Sequence, residues 1–321
     1  MLAPATEAQS AAMRTLLRSF GQIVLQPNAF TGACLLAAWL LCDPRLACAA
    51  LMGAVAANVS AVLAGSPEDA TQAGLHGFNG ALAGLAAFSF IADNATAAAV
   101  AILAATGAAW LLEPWSRWLR ARGLGYFSSP CLIVTWLWLP LATRVTQQTL
   151  SLAEHAPRAA QLSSGVLAGL AQTGFASGAL PGLLVLIGIA AASRRHALWA
   201  LSGAALASAA HLLLGASPGS FDAGLLGFNG VLTAIALADS GIAATLGGVM
   251  LSVALQMTAT YYALPAMTAP FVLATWSMQW LAGRFAHAAA VSEPAAHGGT
   301  GRLVTSPASA GTSSASVRRA G

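Results

Sequence analysis

The chain has 321 residues, 57% of them hydrophobic and only 7% charged, with a formal net charge of +4. Soluble domains carry roughly 25% charged residues, so this composition excludes a globule whose whole surface faces water. All 14 basic residues are arginines scattered along the chain, a distribution that excludes a concentrated nucleic-acid patch and suits topogenic loop charges.

In chain order, residues 1–20 hold Glu7, Arg14 and Arg18 and no apolar core. They read as a cytoplasmic N-terminus without a cleaved signal peptide. Apolar stretches then recur at Ala33–Leu41, Leu46–Ala64, Ala95–Leu112 and Cys131–Ala142, and again at Leu180–Ala192, His196–Gly215 and Gly241–Ala259. About 20 apolar residues span a bilayer as a helix, and a helix satisfies its own backbone in lipid. Residues 21–145 form a first repeat, 146–165 a connecting segment and 166–285 a second repeat. Residues 286–321, rich in Ser, Gly, Thr and Ala, read as a disordered cytoplasmic tail.

The repeats rest on a scarce polar residue. GLHGFNGALAG starts at Gly74 and GLLGFNGVLTA at Gly224, and two of the chain's five asparagines, Asn79 and Asn229, fall at the same place in an identical Phe-Asn-Gly. The offset is 150 residues (78 to 228). It recurs at Gln22/Gln172 and Gly32/Gly182, and drops to 140 where Ser129-Pro130…Thr135-Trp136 matches Ala269-Pro270…Thr275-Trp276. With five spans per half and the N-terminus inside, eleven arginines fall inside and three (Arg45, Arg144, Arg158) outside, as the positive-inside rule favours. An odd number of spans makes the repeats inverted, with a substrate path at their interface.

The polar residues narrow the cargo. Asp43, Asp93, Glu113 and Asp239 sit at span ends, and Glu68, Asp69 and Asp222 precede the repeated motifs. No carboxylate–histidine chain that could relay protons is evident, and His76, whose repeat partner is Leu226, is not part of a symmetric site. Cys34, Cys42, Cys48 and Cys131 lack metal-ligand spacing and read as small packing residues. A path without fixed charge suits a neutral solute moving down its gradient. Gly74, Gly77 and Gly80 would break or thin a helix, which is tolerated at membrane depth where backbone lines a polar cavity. Phe78 and Phe228, with Leu82 and Leu232 one turn on, then offer two related faces that select a flat molecule by shape.

At these residues the sequence resembles the urea transporter family. The resemblance lies in the paired Phe-Asn-Gly segments, in ALPAMTAPFVLATW (Ala263–Trp276) and in the Gln22…Asn28…Gly32 stretch, and covers roughly Gly21 to Arg284. It implies an all-α integral membrane fold of two inverted repeats of five transmembrane helices. Each repeat would carry a re-entrant half-helix, around a central pore, in a homotrimer of the bacterial inner membrane with both termini cytoplasmic. Carried over by position, Phe78, Phe228, Leu82 and Leu232 would frame a slot, and Gln22 and Gln172 would stand beside a row of carbonyl acceptors. Thr268 and Ser128 would supply hydroxyls at the constriction, and Ile23, Leu25, Thr173 and Phe175 would line the entrances. The implied partners are urea and membrane lipid; no cofactor, metal or nucleic acid is called for.

Other channels fit less well. Neither Asn79 nor Asn229 is followed by Pro, as paired aquaporin motifs require, and His76 and His211 are not a symmetric ammonia-channel pair. Short amides, ammonia and water stay open as alternative solutes. An intramembrane hydrolase or acyltransferase would need a base beside Ser128 or Thr268, and no duplicated His or Asp stands there.

Overall fold

In the computed structural model, residues 5–146 and 162–292 are described. Among them every regular element is a helix. Two compact units divide the chain, Met1–Gly283 and Arg284–Gly321. The second contributes to the described residues only the end of the last helix, and all that follows concerns the first. Most of the segments read as a connecting segment and a tail (147–161 and 293–321) lie outside the described residues.

The described residues run through seven helices and then through seven more in the same order. The first series is α1 (Ala5–Gln22), α2 (Ala29–Cys42), α3 (Pro44–Leu63), the short α4 (Glu68–Gln72), α5 (Leu75–Phe90), α6 (Asn94–Arg120) and α7 (Ser129–Thr146). The second is α8 (Leu162–Gln172), α9 (Ala179–Ala192), α10 (Arg194–Leu213), the short α11 (Pro218–Asp222), α12 (Phe228–Ala236), α13 (Ile242–Tyr261) and α14 (Ala269–Ser292). Four of these (α3, α6, α10, α13) are long and apolar enough to cross a membrane, and α2, α9 and the stretch Ser129–Ala142 of α7 are shorter apolar helices.

Local chemistry sets the helix ends. Asn28 caps α2, its Oδ1 accepting from Phe30 N at 2.8 Å and Thr31 N at 3.3 Å. A single residue then turns the chain: the Asp43 N–H closes α2 on Trp39 O (2.8 Å), and its carboxylate caps α3 through Arg45 N (2.9 Å). Pro44 opens α3 where a missing N–H costs nothing. Ser193 does the same work between α9 and α10 through its hydroxyl on His196 N. Asn28→Ala is expected to lower stability by about 1 kcal/mol, seen as a lower melting temperature of the detergent-solubilised protein with its transport properties kept.

Small residues let the helices approach closely. From His76 to Ala87 every residue of α5 is buried. Gly80 and Gly84 lie against the carbonyls of Gly53 and Ala49 on α3, and Gly230 of α12 lies against Gly203 of α10 in the matching way. Without a hydrophobic drive between helices in lipid, association rests on such close packing together with interhelical hydrogen bonds. The halves also interlock. Trp39 Nε1 donates to Gly174 O at 2.6 Å, Thr31 Oγ1 to Gly188 O at 2.8 Å, and Gln26 Nε2 meets His196 Nδ1 at 2.8 Å. His76 and His211 are packed residues, 1% and 2% exposed.

Candidate functional site

The site is built at the ends of helices. After α1 the chain turns through Leu25 at φ 59°, and after α8 through Phe175 at φ 61°. Before α7 it turns through Phe127 at φ 45°, and before α14 through Met267 at φ 48°. These are left-handed conformations that side chains other than glycine rarely adopt.

Four such turns and the two Phe-Asn-Gly helices meet at one narrow cavity of about 10 Å³. From the first half come Gln22, Ile23, Leu25, Phe78, Leu82 and Ser128, and from the second Thr173, Leu232, Thr268 and Phe271. Among the described residues no ionisable side chain lines it. Ser128 Oγ and Thr268 Oγ1 are hydrogen-bonded across it at 2.9 Å, which makes this a seam between the halves. The space is that of about one water molecule.

Nine of the twelve residues singled out in the sequence line this cavity. Three do not. Phe228 instead borders a separate chamber of about 580 Å³, with His211, Ser217, Ser220, Gln256 and Thr260. Gln172 and Phe175, both half-buried, stand at the end of α8 and in the turn after it. The positions around the cavity are therefore only partly duplicated. Gln22, at the end of α1, donates from Nε2 to Ala73 O at 3.4 Å.

Four residues outside those twelve also shape the site. Phe271 reaches the cavity as the counterpart of Cys131 and packs edge-to-face on Phe127, with ring centroids 5.2 Å apart. Tyr126 lies beside Phe78, with centroids 6.2 Å apart. The paired asparagines, which revealed the duplication, hold the hydroxyl-bearing turns. Asn79 Nδ2 donates to Phe127 O (3.3 Å) while its Oδ1 accepts from Cys131 N (3.1 Å). Asn229 repeats the arrangement on Met267 O (3.2 Å) and Phe271 N (3.2 Å), and adds Gln256 Oε1 (2.9 Å). The identical Phe-Asn-Gly was the available signal for these roles, but a sequence does not show which loops an amide will reach.

The arrangement offers hydroxyl and amide acceptors within apolar and aromatic walls. A nucleophile-and-base geometry is not what it resembles, since the Ser128 and Thr268 hydroxyls are partnered with each other. Compared with known proteins, the chain matches a family model described as urea transporter over residues 13–284. No curated protein matches it.

Proposed function

The chain belongs to the urea transporter family, and we propose that it is a passive, channel-type transporter whose urea path runs through the Ser128–Thr268 constriction. It is a multi-pass membrane protein. In this reading the two series of helices are inverted repeats of five spans, each with a half-helix, and three copies assemble with one path apiece. Both termini are cytoplasmic and the membrane is the bacterial inner membrane.

The observation that carries the reading is the convergence of both halves on an uncharged cavity closed by one hydroxyl pair. Urea is planar and neutral, with four N–H donors and one strong acceptor. Leaving an N–H unpaired away from water costs about 1–3 kcal/mol. The hydroxyls, with carbonyls beside Gln22 and Gln172, would take over bonds that water supplies outside. Phe78, Leu82 and Leu232 would accept only a flat body, and Phe228 would present its ring at the chamber end. Ile23, Leu25, Thr173 and Phe175 would line the approaches. Neutral partners also release the solute readily, which conduction requires.

The second reading is a channel for other small neutral solutes. Proteoliposome swelling with urea, acetamide and formamide separates the two. The urea reading expects urea to enter faster than acetamide, whose methyl group replaces an N–H₂ and thickens one end. Equal rates for all three would favour the general solute channel instead.

A further inference from the structure

The buried asparagines of the two Phe-Asn-Gly motifs have a task that shape selection by the neighbouring phenylalanines does not explain. Asn79 and Asn229 are 0% and 1% exposed, and in each the donor and the acceptor of the amide are both used on backbone of a hydroxyl-bearing turn. Nδ2 donates to the carbonyl of the residue just before the hydroxyl, Phe127 or Met267. Oδ1 accepts from an amide three residues after it, Cys131 or Phe271. Ser128 and Thr268 thus sit inside a clamp of the same form in each half.

Both ends of the clamp answer a physical need. Phe127 and Met267 hold positive φ (45° and 48°), a strained state that persists only when its surroundings over-determine it. Cys131 N and Phe271 N belong to the first turns of α7 and α14, where backbone N–H groups have no partner within the helix. One amide side chain supplies both missing bonds. Aspartate, with acceptors only when ionised, could supply one, and leucine of similar size neither.

We infer that Asn79 and Asn229 are positioning residues that set the separation of the Ser128 and Thr268 hydroxyls, and through it the width and solute preference of the constriction. The halves differ in one respect: Asn229 Nδ2 is also held by Gln256 Oε1, whose own Nε2 donates to Leu225 O at 2.7 Å. This inference takes the constriction from the proposed function, but its test reads geometry and is decided whether or not urea passes.

The test is disulfide formation in the full chain carrying Ser128→Cys and Thr268→Cys, with the linked peptide identified by mass spectrometry. A second link serves as reference, Ser177→Cys against the native Cys42, whose sulfur and hydroxyl lie 3.3 Å apart elsewhere between the halves. Asn79→Leu and Asn229→Leu are compared with the native asparagines, and the gentler Asn79→Ser and Asn229→Ser, too short to bridge both backbone groups, are run in parallel in case leucine prevents folding. The expected result is that the 128–268 link forms with native asparagines and slows about tenfold in the variants, the scale of one lost buried hydrogen bond, with the 42–177 link unchanged. The inference is overturned if the 128–268 link fails to form with native asparagines, if it keeps its rate in the variants, or if both links slow together, since that marks general loosening.

Discussion

Thr268→Val slows urea movement about five- to 150-fold while leaving the protein folded. Valine keeps the shape of threonine and removes only the hydroxyl. Ser128 Oγ, whose partner at 2.9 Å was the Thr268 hydroxyl, then faces a methyl and loses its bond, and a solute N–H at the constriction loses one acceptor. An unpaired buried polar group costs about 1–3 kcal/mol, and each 1.4 kcal/mol is a factor of ten. Ser128→Ala should give a similar loss, and the double variant less than the product of the two, because a pair that acts as a unit is not additive. Initial rates of urea efflux measure all three. Additive losses would mean that the two hydroxyls act separately.

The largest effect on stability belongs to a glycine outside the cavity. A Cβ at Gly32 of α2 would overlap the carbonyl of Leu17 on α1, and at Gly182 of α9 the carbonyl of Leu167 on α8. The obstacle is backbone, which cannot rotate aside as a side chain does. Overpacking typically costs 1–3 kcal/mol and occasionally more, and here whole helices must separate, so Gly32→Ala is expected at about 3 kcal/mol or above. α1 carries Gln22 and leads into Ile23 and Leu25 at the cavity wall, so any protein that still folds should also conduct poorly. Gly107→Ala is the control: its nearest neighbours are Val134 methyls at 3.7 Å, an ordinary contact. Size-exclusion profiles and melting curves of the three proteins check this. A Gly32→Ala protein as stable as Gly107→Ala would refute the close approach of α1 and α2.

Much of this was legible in the sequence because rare residues carry more information than common ones. Alanine, glycine and leucine matches mean little in so apolar a chain, whereas Asn79 and Asn229 mark equivalent places. Among the cavity-lining positions, Phe78, Leu82 and Leu232 followed from that register, while Ser128, Thr268, Ile23, Leu25 and Thr173 were implied by the family resemblance. What escaped was the geometry of turns. Nothing in Leu25, Phe127, Phe175, Ala263 or Met267 announces a positive φ, for these are not the residues that favour it. Tertiary partners impose it, among them the asparagine amides. Phe271 was missed for a related reason. Its repeat partner is Cys131, so a search for matching pairs passes over it.

The two halves also differ where the register could not show it. α5 starts at Leu75, but residues 225–227 are turn, and α12 starts only at Phe228. In the first half His76 Nδ1 lies 3.4 Å from Thr71 Oγ1 and ties that first turn to α4, a contact that Leu226 and Phe221 cannot make. The apolar run of α6 ends near Leu112, yet the helix continues through Pro114 to Arg120. Trp115 and Trp118 stack with centroids 5.0 Å apart, Trp115 Nε1 donates to Ser129 Oγ at 2.8 Å, and Arg122 covers Trp118 at 3.7 Å. Its counterpart α13 has 20 residues against 27, which accounts for most of the fall in repeat offset from 150 to 140.

The central claim, a passive urea path through the seam of the two halves, is tested most directly by stopped-flow urea efflux from proteoliposomes against protein-free liposomes. The account predicts fast, saturable efflux down the gradient, slowed by Thr268→Val. Efflux no faster than from protein-free liposomes, with the protein inserted and folded, would contradict it.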